Sequence, residues 1–144
     1  MKKGQISIDL ILTLIIALMI VVAMWGIVNN FRTTQEKINV QTQLDEMTQK
    51  TASFITASQS IMDLKFNITY EVNKINYADA NGNNKSAYPK MQIIDNNTLS
   101  SSITISTPYG EQVIDSNRTI YLAPTLTVLL DEVKTAGKIV IRNG

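Results

Sequence analysis

The side chains that could do chemistry in this chain are few, and their absences are as informative as their positions. Cys and His are both missing, so there is no thiol nucleophile, no disulfide, no imidazole base and no imidazole metal ligand to place. Among the carboxylates, Asp9 stands alone at the edge of a long apolar run, where an ionisable group invites a functional reading by default. Asp79, Asn81 and Asn83 alternate like the first oxygen ligands of a calcium loop. Gly82 occupies the fourth place of that loop rather than the sixth, and Lys90 stands where the closing bidentate acid belongs, so the stretch reads as a turn. The adjacent acids Asp45-Glu46 and Asp131-Glu132 diverge on a helix and read as solvated faces. Four Asn-x-Ser/Thr sequons begin at Asn67, Asn84, Asn96 and Asn117, against about two expected by chance, and mark candidate N-glycosylation sites. The last three fall in expected turns, whereas Asn67 falls in an expected strand. Asn81-Gly82 is a dipeptide that deamidates readily. No catalytic constellation, metal site or cofactor site emerges, and the chain is not expected to be an enzyme.

The element that Asp9 borders is the dominant one. Residues 10–28 hold no charge and twelve Leu, Ile and Val. At roughly −0.3 to −0.6 kcal/mol each on an insertion scale, these total about −4 to −7 kcal/mol. Asp9, at the edge rather than the centre, costs less than the roughly +3 kcal/mol of a central acid. Insertion into a bilayer is favoured. Lys2 and Lys3 precede the run directly, and no small-residue cleavage site of the A-x-A type follows it.

Lys2-Lys3-Gly4-Gln5-Ile6-Ser7-Ile8-Asp9-Leu10 resembles the class III, prepilin-type signal peptide of archaeal type IV pilins. The resemblance covers roughly residues 2–30, with Asp9 where the family's usual acid is Glu. It implies that a membrane prepilin peptidase cuts between Gly4 and Gln5 on the cytoplasmic side, removing the basic leader of residues 1–4. It further implies that the apolar helix of residues 5–30 spans the membrane in the precursor and forms the filament core after assembly. Asp9 would then lie beside the new amino group of Gln5, on its own or a neighbouring chain, and fix the axial register between subunits. Should Gln5 cyclise to pyroglutamate, Asp9 would need a hydroxyl such as Ser7 or Thr13, or a proton. The partners so implied are further copies of the chain in a helical homopolymer, the prepilin peptidase, an assembly ATPase and a membrane platform protein. An archaellin, the subunit of the archaeal motility filament, and a non-polymerising bitopic surface protein are the alternatives.

Past Asn30 the helical pattern changes solvent without breaking. Residues 31–64 contain neither Pro nor Gly. Phe31, Ile38, Leu44, Met47, Phe54, Ile55, Ile61 and Met62, with Thr51 and Ser58 between them, predict one apolar face. Arg32, Gln35, Glu36, Gln43, Asp45, Glu46 and Lys50 predict a polar opposite face. One helix of about 85 Å over residues 6–63 follows, with Gly26 its only weak point.

Residues 65–144 read as a small β-rich domain outside the cell. Alternation from Phe66 to Val72 predicts a strand, with Ile75 and Tyr77 continuing it or re-registering nearby. Residues 79–87 read as a polar loop, 91–94 as a strand ending at Asp95-Asn96-Asn97, and Ile103 and Ile105 as part of another. Thr107-Pro108-Tyr109-Gly110 turns into residues 111–115, and Asp115-Ser116-Asn117 turns again into 118–122. Residues 125–136 fit a helix closed by Gly137 slightly better than a strand, and 138–142 form a last strand. About 80 residues without disulfides make a marginal core alone. The expected fold is therefore α+β: a small antiparallel sheet packed on the amphipathic helix of residues 31–64, ladle-like. The net charge of +1, with no basic stripe, gives no case for nucleic acid.

Overall fold

The computed structural model describes residues 2–61 and 64–143, with side chains from Ile8 onward. The fold is α+β. Helix α1 (Lys2–Ser58) runs unbroken through Gly26 and tightens into a 3₁₀ turn at Gln59–Ile61. It starts four residues before the expected Ile6, and Met62 and Asp63 lie outside the described residues. The chain divides into two compact units between Gln35 and Glu36, inside this helix.

In the second unit, strands β1 (Phe66–Glu71), β7 (Leu126–Leu129) and β8 (Lys138–Asn143) form an antiparallel sheet in the order β1-β8-β7. Strands β2 (Ile75–Ala78) and β3 (Asn84–Ala87) form a separate hairpin. Strands β4 (Lys90–Ile94), β5 (Thr98–Thr107) and β6 (Gly110–Thr119) form an antiparallel meander. A single turn of helix, α2 (Val133–Ala136), precedes β8.

The helix meets these sheets along Val40, Leu44, Thr48, Thr51, Ile55 and Ser58, at spacings of three and four. Val40 and Leu44 pack with Ile75, Ile103, Ile105 and Ile114. Ala52 and Ile55 pack with Val72, Met91, Leu99, Ile139 and Ile141. Met47 borders both clusters. The stripe differs from the expected one at its start, because Phe31 and Ile38 are 66% and 54% exposed while Val40 is fully buried. Ile61 is exposed as well. Buried hydroxyls are tolerated where they bond back to the preceding turn: Thr48 Oγ1 donates to the Leu44 carbonyl at 2.7 Å and Ser58 Oγ to the Phe54 carbonyl at 2.8 Å. Thr51 Oγ1, equally buried, has no partner.

Three residues expected to face solvent on α1 instead stitch it to the sheets. Gln43 Nε2 donates to the Asn76 carbonyl at 2.9 Å, while its Oε1 accepts the Asn76 N–H at 3.0 Å. Glu36 Oε1 accepts the Ala78 N–H at 2.7 Å, and Asp45 Oδ1 accepts the Ser116 hydroxyl at 2.5 Å. Gln41 joins them, its Nε2 donating to the Asp115 carbonyl at 3.1 Å.

That last pair explains why Asp115-Ser116-Asn117 is mid-strand rather than a turn. Ser116 is inward-facing and buried, opposite the equally small and buried Ser101, and the helix polar groups satisfy it. Strand β6 accordingly runs to Thr119 and the segment after it is irregular. Residues 84–87 are likewise a strand, although three of the four side chains are exposed, because only β2 pairs with them. Residues 125–136 divide. Leu126–Leu129 pair with β8 as a strand, and only the last four residues are helical, ended by Gly137 at φ +66°.

Candidate functional site

Residues 8–28, apolar apart from Asp9 and Thr13, form a cylinder with no covered side. Their large hydrophobic side chains are 48–71% exposed, from Ile15 to Trp25, with no quieter face among them. Twenty-one residues at 1.5 Å rise give about 32 Å, enough for a hydrocarbon core of about 30 Å. The helix is long and apolar enough to cross a membrane. An apolar surface of this extent far exceeds the few hundred Å² found in patches on soluble monomers.

Asp9 lies on the second turn of α1 and is exposed. Thr13, one of the hydroxyls considered for its carboxylate, donates to the Asp9 backbone carbonyl at 2.8 Å instead. Lys2, Lys3, Gly4 and Gln5 have helical backbone, and their side chains, like that of Ser7, lie outside the described residues. Positions 5 and 9 are one helical turn apart, on one face.

The four sequon asparagines are all exposed, in less uniform settings than expected. Asn96 sits in the β4–β5 loop with φ +57°, beside Asp95 at φ +53°, a left-handed conformation that Asx residues accept most readily after Gly. Asn84 begins β3, and Asn67 and Asn117 lie within β1 and β6. Thr98 and Thr119, the hydroxyl residues of the Asn96 and Asn117 sequons, are direct cross-strand partners.

Asp79 is a carboxylate whose charge the fold stabilises. Its Oδ1 accepts the Asn81 and Asn83 backbone N–H groups, each at 2.9 Å, and its Oδ2 receives Lys85 Nζ at 3.0 Å. The Asn83 N–H and the Lys85 ammonium, foremost, hold its pKa down to about 2 from 3.8. The side chain is 6% exposed and occupied by donors, which makes it the hub of the β2–β3 turn rather than a cation ligand. A polar groove of about 490 Å³ lies between α1 and the β1–β2 connection, lined by Gln43, Glu46, Lys50, Tyr70, Asn73 and Lys74. Lys50 pairs with Glu46 at 3.8 Å and Tyr70 stacks on Phe54 at 4.6 Å. Neither is poised as a nucleophile with a base.

Sequence pattern pointed directly to the apolar run of residues 10–28, whose large side chains the structure leaves exposed. The role of Asp79 is half visible in the sequence, whose Asx-Gly pattern marks a turn but does not show its link to Lys85. No protein-family model, curated protein or solved structure matches the chain.

Proposed function

We propose that this chain is the structural subunit of an archaeal type IV pilus, made as a membrane precursor and polymerised through its N-terminal helix into an adhesive surface filament. The observation that carries the reading is an apolar helix exposed on every side, entered directly from Lys2-Lys3-Gly4-Gln5-Ile6-Ser7-Ile8-Asp9. In the precursor, lipid covers that helix, with the two lysines held inside and the sheet domain outside. A prepilin peptidase removes residues 1–4, and an ATPase with its platform protein extracts the subunit from the bilayer. Helices of neighbouring copies then replace lipid, so packing is exchanged without exposing apolar surface to water. One turn behind Asp9, the new amino group of Gln5 supplies the opposite charge that rewards one axial register over its neighbours.

The test is the N-terminal peptide and intact mass of protein sheared from cells. The expected chain starts at Gln5, free or cyclised. A chain that keeps Lys2-Lys3-Gly4 and stays with the membrane fraction would overturn this reading and leave a bitopic surface protein. Motility lost together with the filament would move the assignment to an archaellin.

A further inference from the structure

We infer that Asn81 is a latent deamidation site, kept unreactive in the folded chain by the turn that Asp79 organises. The Asn81-Gly82 pair has the chemistry for spontaneous conversion, because Gly82 has no Cβ to hinder its own backbone nitrogen. In that reaction the Gly82 nitrogen gives up its proton to solvent base and attacks Cγ of Asn81. A C–N bond forms, the side-chain amide leaves as ammonia with a proton from water, and a five-membered succinimide remains. Water then adds at either imide carbonyl, giving aspartate or isoaspartate. No oxidant, metal or enzyme is required.

The fold removes the nucleophile from this scheme. Gly82 N–H donates to the Asp79 carbonyl at 2.8 Å, and its φ of +81° holds it there. The flanking N–H groups of Asn81 and Asn83 are committed to Asp79 Oδ1, so three consecutive amides point at one residue. Lys85 and Asn83 Nδ2 pin the other carboxylate oxygen at 3.0 and 3.5 Å. The base of the hairpin is anchored in turn, since Gln43 and Glu36 of α1 bond the backbone of Asn76 and Ala78. Asn81 itself is exposed, so water and base reach it freely. Only the geometry of the turn restrains it, and reaction requires local opening. The isoaspartate product adds a methylene to the main chain inside a five-residue connection, and either product adds a second negative charge beside Asp79. Conversion therefore locks the turn open.

The experiment ages the full chain in detergent micelles at neutral pH, as wild type, as Asp79→Ala and as Lys85→Ala, with wild type in concentrated urea as the unfolded reference. Peptide mass mapping follows amide-to-acid conversion at Asn81, and hydrogen exchange follows the Gly82 amide. Folded wild type is expected to convert at least ~10-fold more slowly than the reference, the factor given by about 1.4 kcal/mol of opening free energy. Asp79→Ala keeps the main-chain carbonyl that holds Gly82 but loses the carboxylate that gathers Asn81, Asn83 and Lys85. It is expected to recover part of the unfolded rate, more than Lys85→Ala does, each in step with Gly82 exchange. Tyrosine near-ultraviolet dichroism checks that each variant keeps its core. Folded wild type converting at the unfolded rate would overturn the inference. So would variants whose Gly82 amide exchanges faster while Asn81 converts no faster.

Discussion

Replacing Gly137 with Ala tests how the second unit is held together, and the structure sets the size of the effect. Gly137 ends α2 with φ +66° and ψ +29°, where an L-residue costs about 1–2 kcal/mol. A Cβ built there would lie 2.4 Å from Tyr88 Cε1, 2.8 Å from Tyr88 Cζ and 2.8 Å from the Val72 carbonyl oxygen. The carbonyl cannot retreat cheaply, because Val72 N–H donates to the Gly137 carbonyl at 2.6 Å and ties the two backbones together. The ring is flanked by the Lys74 ammonium, 5.2 Å from its centroid. Relieving the overlap costs about 1–3 kcal/mol as overpacking. Ala returns about 0.4–1 kcal/mol by restricting the unfolded chain. The expected net loss is about 1–5 kcal/mol, which lowers the melting temperature by roughly 4 °C at least for a unit of this size. All five tyrosines fall at residues 70–121, so thermal loss of near-ultraviolet tyrosine dichroism in micelles reports on this unit alone. Gly26→Ala is the matched control. Its Cβ meets nothing within 4 Å, and the helix gains about 0.5–1 kcal/mol of propensity with no tyrosine-detected change. Equal melting temperatures for Gly137→Ala and wild type would refute the assigned close approach of the α2–β8 corner to Tyr88.

The remaining predictions concern charge, hydroxyls and assembly. Because the Asp79 pKa falls on folding, its contribution is complete above the unfolded value of 3.8 and is lost as pH drops toward about 2. Amide signals of Gly82 and Asn83 should therefore shift across that window in wild type and stay flat in Asp79→Asn. Thr51→Val removes a buried hydroxyl without a partner and is expected to leave stability unchanged or raise it by up to about 1 kcal/mol. Thr48→Val removes a satisfied one and is expected to cost about 0.5–1.5 kcal/mol, and chemical denaturation of the pair checks the ordering. Asp9→Ala should leave membrane insertion and leader removal intact while abolishing filaments, as electron microscopy of cells would show. Normal filaments from that variant would remove Asp9 from assembly.

The long helix was legible because nothing between residues 31 and 61 can stop it and residues 10–28 have no polar face to present. Strand β1 was legible from alternation, β4 and β8 from short apolar runs beside turn residues, and the turns at Asp95-Asn96, Pro108-Tyr109 and Gly137 from residues that tolerate or require their dihedral angles. These are local properties, set by sterics and period within a few residues. The tertiary structure decided what local pattern leaves open. Val40 rather than Ile38 turns inward, one turn before Leu44, where it packs with Ile75, Ile103, Ile105 and Ile114. Ser101 and Ser116 become core because two small residues face each other across β5 and β6, with Asp45 supplying the hydrogen bond to Ser116. Glu36, Gln43 and Asp45 leave the solvent face of the helix because backbone groups of β2 and a hydroxyl of β6 need partners. Residues 126–129, whose own pattern fits a helix and a strand almost equally, take the strand because β8 offers them an edge to pair with.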